Sequence, residues 1–212
     1  MKPILKSFLI LCAFFSLNVF AQSADDKQSA EQLRKLLDAM TTLQGKFTQT
    51  LYDNKGEQIE QSSGTFVLQR PGKFYWKTEQ PYPQLLVSNQ QTIWLYDPDL
   101  EQVTVRPFSD DLQQTPALLL SEDVNKLRKS FSIQRTTPVT GQEKFTLTPK
   151  VTEGLFQQLT LVFVSGQLQE FHLQDNLGQL THFALREAER NQAVDATLFD
   201  FTPPPGVDVL ND

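Results

Sequence analysis

From Phe47 onward apolar and polar residues alternate with a period of two, in runs at 47–52, 57–69, 73–78, 84–88, 92–97 and 101–106. Period two is the signature of a strand, and the breaks between runs are turn formers: Asp53-Asn54-Lys55-Gly56, Arg70-Pro71-Gly72, Asn89-Gln90-Gln91 and Asp97-Pro98-Asp99. Connections this short predict an antiparallel meander. Further runs at 131–136, 143–149, 155–164, 167–175 and 179–188 bring the expected strands to about eleven, with turns at Ser165-Gly166 and Asn176-Leu177-Gly178.

Two stretches carry a helical period instead. Over Ser29–Leu43 the residues Leu33, Leu36, Leu37 and Met40 recur on one face, and Ser29 with Gln32 fits a capping box. Such a one-faced helix must lie on something. Between the two sets of strands, Thr115-Pro116 opens the segment ALLL with a cap residue and a first-turn proline, and Ser121-Glu122-Asp123 begins a second helical piece that runs to Lys129. The ending FDFTPPPGVDV is too rich in proline for a central strand and suits an edge, or a strap over one. Together these elements predict a strongly curved sheet or open barrel with helices closing one side.

Several strands are apolar on both faces. Phe66 and Leu68 alternate with Val67, Phe74 and Trp76 flank Tyr75, Ile93 and Leu95 alternate with Trp94 and Tyr96, and Leu159, Leu161 and Phe163 alternate with Val162 and Val164. A sheet with one wet face would show apolar residues at alternate positions only. Either a packed core or an apolar cavity accounts for the pattern, and periodicity does not choose between them.

Arg70 bears on that choice. By strand parity it shares a face with Phe66 and Leu68 and ends a row of apolar side chains. A buried guanidinium presents five donors and is costly without acceptors. Acids are sparse nearby, so the carbonyls at the C-terminal ends of short helices, which lack intrahelical bonds, are natural partners. The alternative is an arginine at a strand end that points to water.

Composition sets the compartment. Lys2 and Lys6 precede or interrupt an apolar run from Phe8 to Phe20 that ends in Val19-Phe20-Ala21, so residues 1–21 read as a cleaved signal peptide and residues 22–212 as a single domain. The lone Cys12 lies within that leader and away from its cleavage site, which predicts an exported, unanchored chain without disulfides. Without Lys2 and Lys6 there remain 17 basic residues against 25 acidic ones, a net charge of −8 and a poor surface for nucleic acid. The sequence holds no G-x-S-x-G elbow, H-E-x-x-H, phosphate loop or calcium loop, and the carboxylate pairs Asp97/Asp99 and Asp110/Asp111 sit in turn or loop context. His172 and His182 lie symmetrically about Leu177, so the hairpin register that pairs them also sets Phe171 opposite Phe183. Two imidazoles make a poor metal site, and no third ligand is visible in the sequence. We expect a binding protein rather than an enzyme, with no cofactor.

At this point the chain resembles the LolA family of periplasmic outer-membrane lipoprotein carriers. The marks run over most of the sequence: FTQ (47–49), RPGKFYW (70–76), LVSNQQTIWLYDPDLEQV (86–103), TPALLL (115–120), FTLTPK (145–150) and AVDATLFDFTPPPGVDV (193–209). Asn89-Gln90-Gln91 departs from the glycine turn often found there, which affects that hairpin only. The resemblance implies a mainly β fold, an incomplete, unclosed antiparallel β-barrel of about eleven strands under a lid of short α-helices, with a hydrophobic cavity between. It also implies a periplasmic, monomeric carrier that takes acylated lipoproteins from an inner-membrane ABC transporter of the LolCDE type and passes them to an outer-membrane receptor of the LolB type. Arg70 matches the family's arginine that holds the lid, and Phe74 matches an aromatic implicated in cargo uptake. By parity with Arg70 the expected cavity wall is Phe66, Leu68, Phe74 and Trp76, and the expected lid residues are Leu33, Leu36, Leu37, Met40, Leu118 and Leu119. The competing reading is a periplasmic lipid or lipoprotein sensor on the same half-barrel, which would carry a further domain for its partner. The receptor itself would need a lipidated cysteine just after the leader, and the sequence has none there.

Overall fold

The computed structural model describes residues 18–108, 120, 124–151 and 156–211. Strands β1 (Thr42–Tyr52), β2 (Gln58–Gln69), β3 (Lys73–Gln80), β4 (Gln84–Asn89), β5 (Thr92–Asp97) and β6 (Gln102–Pro107) form the first half of one sheet. After a short helix, α2 (Val124–Ser130), come β7 (Phe131–Thr136), β8 (Gln142–Pro149), β9 (Phe156–Val164), β10 (Gln167–Asp175), β11 (Leu180–Arg190) and a terminal β12 (Asp208–Asn211). In space the order is β12-β6-β5-β4-β3-β2-β1-β11-β10-β9-β8-β7, with β12 and β7 at opposite ends, so the barrel is not closed. Eleven strands form the expected antiparallel ladders. The twelfth lies parallel to β6, which places the proline-rich ending at an edge as predicted.

Side-chain acceptors shape the hairpins. Asp53 Oδ1 accepts from the amides of Lys55 and Glu57, Asn89 Oδ1 from Gln91 and Thr92, Asp97 Oδ1 from Asp99 and Leu100, and Asp175 Oδ1 from Leu177 and Gln179. Each short side chain thus satisfies backbone donors that the turn leaves unpaired. Asp97 and Asp99 are accounted for by this turn. Gln90 sits at φ +78°, a conformation that glycine adopts without cost, at the position where the sequence departs from a glycine turn.

The long helix differs from expectation. α1 spans Asn18–Asp38 rather than Ser29–Leu43, so Ser29 lies inside it, buried, and caps nothing. Its end is fixed from far along the chain. Asn191 Nδ2 donates to the carbonyl of Ala39, and its Oδ1 accepts from the Thr41 amide, both at 2.9 Å. Leu43, which continues the helical spacing in sequence, turns into β1 and is buried there.

The sheet curls tightly around its inner face. Trp76 on β3 lies 5.8 Å from the Phe183 ring on β11 and 6.2 Å from Phe171 on β10. A flat sheet would hold β3 and β10 about 19 Å apart, at four spacings of about 4.8 Å each. Helix α1 packs on β7 and α2, and Ala30, Leu33, Leu37 and Met40 join the main core. Gly64 lets the curl form, since a Cβ there would stand 1.9 Å from the Lys77 carbonyl oxygen and 3.0 Å from the Phe47 ring.

The second apolar face has its own cover. Register places Tyr75, Val87, Trp94 and Val105 in one row on the outer face. Over this region runs the C-terminal strap: a 3₁₀ turn, Ala196–Phe199, buries Phe199, and Phe201 lies 5.7 Å from Tyr96 and 6.4 Å from Trp94. On β3, β4 and β5 the two apolar faces therefore serve two cores, one under the helix and one under the strap.

Candidate functional site

The inner face gathers the predicted wall. Phe66, Leu68, Phe74 and Trp76 are all buried, with Phe66 opposite Trp76 and Leu68 opposite Phe74 in the β2–β3 ladder. Alternation puts them on one side because successive strand residues point to opposite faces. Trp76 is the hub, with Phe47 stacked at 4.2 Å and Phe66 at 5.4 Å between ring centroids. Phe171 and Phe183 stack at 4.2 Å beneath it, opposite each other in the β10–β11 register as the sequence predicts. Parity had exposed that pair but not its meeting with Trp76, which depends on the curl.

Arg70 follows the last residue of β2. Its amide donates to the Thr41 carbonyl at 2.9 Å, and its Nη1 donates to the Leu120 carbonyl, also at 2.9 Å. The side chain is partly buried, and Leu120 is fully buried in the main core. A cation thus joins the end of the apolar row to the segment that leads into α2. Leu118 and Leu119 lie outside the described residues, so the described part of this segment that meets Arg70 is their neighbour Leu120. The acceptor is a main-chain carbonyl, the kind of partner expected for Arg70 from the sequence.

Of the predicted lid residues, Leu33 and Leu37 on α1 and Met40 just beyond its end are buried, and Leu36 is half-buried. Leu36 and Met40 line a partly enclosed apolar pocket with Leu43, Phe163, Leu168 and Ala188, whose volume is only about 10 Å³. That is room for about one water molecule. Among the described residues, the side chains between α1 and the sheet are closely packed at this point.

Two polar contacts, those of Asp26 and Glu170, were not legible in the sequence. Asp26 on α1 accepts a hydrogen bond from the Ile133 amide on the edge strand β7 at 2.6 Å. On the outer face His172 and His182 stand opposite each other, as predicted, and Glu170 joins them at hydrogen-bonding distance from His172. Burial holds the His172 imidazole below its ordinary pKa, with His182 acting in the same direction and the Glu170 bond opposing it.

Residues 38–202 match the family model described as outer membrane lipoprotein carrier protein LolA. An outer-membrane lipoprotein carrier protein of Azotobacter vinelandii is 44% identical over 187 residues, which cover 88% of this chain and 90% of that protein. One from Pseudomonas fluorescens is 40% identical over 204 residues, covering 96% and 98%. Among solved structures, a DUF1329 family protein from Desulfovibrio piger superposes with a TM-score of 0.51 at 11% identity, over 83% of this chain and 97% of that one. This last likeness concerns the fold alone.

Proposed function

The chain belongs to the LolA family of outer-membrane lipoprotein carrier proteins, and from that premise we propose that it ferries acylated lipoproteins across the periplasm with their acyl chains held on the inner face of the sheet. The leader, residues 1–21, is removed on export. Cleavage after Ala21 leaves the helical residues that join the core, Ala30, Leu33 and Leu37, together with Met40 just beyond the helix. Cargo comes from an inner-membrane ABC transporter of the LolCDE type and goes to a LolB-type receptor, with no catalytic step by this chain. Phe66, Leu68, Phe74 and Trp76 form the wall, and Leu33, Leu36, Leu37, Met40, Leu118 and Leu119 belong to the cover.

The observation that carries this reading is the bond from Arg70 to the Leu120 carbonyl. Each buried methylene contributes about 0.8 kcal/mol, so several acyl chains would bind with tens of kcal/mol in gross terms. Affinity of that size would prevent delivery. A closed resting state offsets it, because opening consumes part of the gross binding free energy and apparent affinity falls with the fraction that is open. Arg70 stabilises the closed state by joining sheet and cover.

The test is Arg70→Leu. Lipoprotein release from inner-membrane preparations into the soluble fraction should proceed as in the wild type, while transfer from the loaded variant to the receptor slows. Equal transfer rates for the two proteins would rule out the clamp.

A further inference from the structure

The outer face of the β10–β11 hairpin brings together Glu170, His172 and His182, whose ligand atoms all lie within 4.8 Å of one another. Glu170 Oε2 stands 3.3 Å from His172 Nε2 and 3.4 Å from His182 Nε2. A tetrahedral zinc ion with bonds of about 2.0–2.1 Å keeps its ligand atoms about 3.3–3.4 Å apart. Charge-assisted N–H···O bonds run shorter, at about 2.7–2.9 Å. The two carboxylate–imidazole spacings therefore suit a shared ion better than a pair of strong hydrogen bonds. His182 Nε2 is also sealed from solvent without a hydrogen-bond partner among the described residues, an arrangement that a metal bond would resolve.

The backbone prepares the group. His172 and His182 are direct cross-strand partners in the interior of the sheet, and their rings lie 4.5 Å apart with a tilt of 41°. Glu170 faces Ala184 across the same ladder, and this short neighbour leaves the carboxylate clear to lean toward both imidazoles. All three side chains are partly exposed, and the Glu170 carboxylate, the most exposed of them, gives the approach for an ion. Two imidazoles and one carboxylate form a ligand set suited to zinc, with one position left for water.

We propose that Glu170, His172 and His182 form a zinc site of three protein ligands on the outer face of the β10–β11 hairpin. Phe171 and Phe183, on the same two strands, point inward beneath Trp76. A bound ion would cross-link the strands that carry this part of the wall, on the side away from any cargo. The inference stands on the geometry of the trio and does not depend on the carrier reading.

Untagged protein stripped with a chelator would be titrated with Zn²⁺ alone against a chromogenic indicator. One ion should bind per chain, and Glu170→Gln, His172→Gln and His182→Gln should each weaken binding at least about tenfold. Lys35→Ala, exposed on α1 over the other face of the sheet, should leave the affinity unchanged. Should a variant fail to fold, the wild-type histidine ring resonances provide the test: two of them should shift on addition of one equivalent of Zn²⁺. Absence of saturable binding, unmoved histidine resonances, or affinity untouched by all three substitutions would overturn the site and leave a carboxylate–imidazole network.

Discussion

The strap over the outer face enters the sheet itself. β12 adds a backbone ladder to β6, and the Asp208 amide donates to the Glu101 carbonyl at 2.9 Å. The helix over the inner face is held differently. Among the described residues α1 reaches the sheet's polar groups through side chains: Asp26 to the Ile133 amide, and Gln32 to Glu143, which in turn pairs with Arg135 at 2.8 Å. Both covers bury apolar side chains, but one is stitched to the sheet by its main chain and the other is docked on it. A ladder breaks cooperatively with the sheet, whereas a docked element with few polar ties opens at lower free energy. On the proposed carrier reading the cover that must open is the one on the inner face, and the two modes of attachment match that need.

The largest effect should come from the strap. Phe199 is its buried anchor, and Phe199→Ala should cost about 3–5 kcal/mol in urea denaturation, since truncating a buried phenylalanine loses its transfer free energy and leaves a cavity. Because the strap opens only with the sheet, the loss should appear in global unfolding and leave cargo uptake by the folded fraction unchanged. A variant with full stability and impaired uptake would reverse the roles assigned to the two faces.

A smaller, more local effect is expected from Asp26→Ala. The bond from an edge-strand amide to a carboxylate is charge-assisted, so its loss should destabilise by about 1.5–3 kcal/mol. Hydrogen exchange separates this from general weakening: the Ile133 amide and those of α1 should exchange faster, and the β12–β6 ladder should keep its protection. Faster exchange in both covers together would mean that they open as one unit.

These contrasts explain what could be read from the chain. The strands were legible because alternation and Asx turns are local: β5, β7 and β10 have the predicted bounds, and the other predicted strands differ mainly at their ends. Arg70 was legible as an inward group because parity links it to Phe66 and Leu68. The second core was hidden, because Trp94 and Tyr96 look the same whether a cavity, a helix or a distant strap covers them. Glu170 escaped notice for a similar reason. A glutamate two residues before a histidine is ordinary in sequence, and only the β10–β11 register adds the second imidazole.

The smallest effect concerns the end of the helix, where sequence and structure part most clearly. Leu43 extends the spacing of Leu36 and Met40, so local pattern favours a helix through it, yet α1 stops at Asp38. Asn191, 152 positions beyond Ala39, supplies the stop by accepting from the Thr41 amide and donating to the Ala39 carbonyl. These bonds are solvent-exposed and neutral, and such bonds contribute about 0.5–1.5 kcal/mol net, so Asn191→Ala should destabilise by about 1 kcal/mol. The direction of the local change is more telling than its size. Without the stop, the helical preference of residues 39–43 competes with the first pairs of β1, and protection should fall at Thr41, Thr42 and Leu43 while β1 beyond Phe47 keeps its own. If protection at that corner is unchanged, the turn is set by the burial of Leu43 on the sheet, and Asn191 only decorates it.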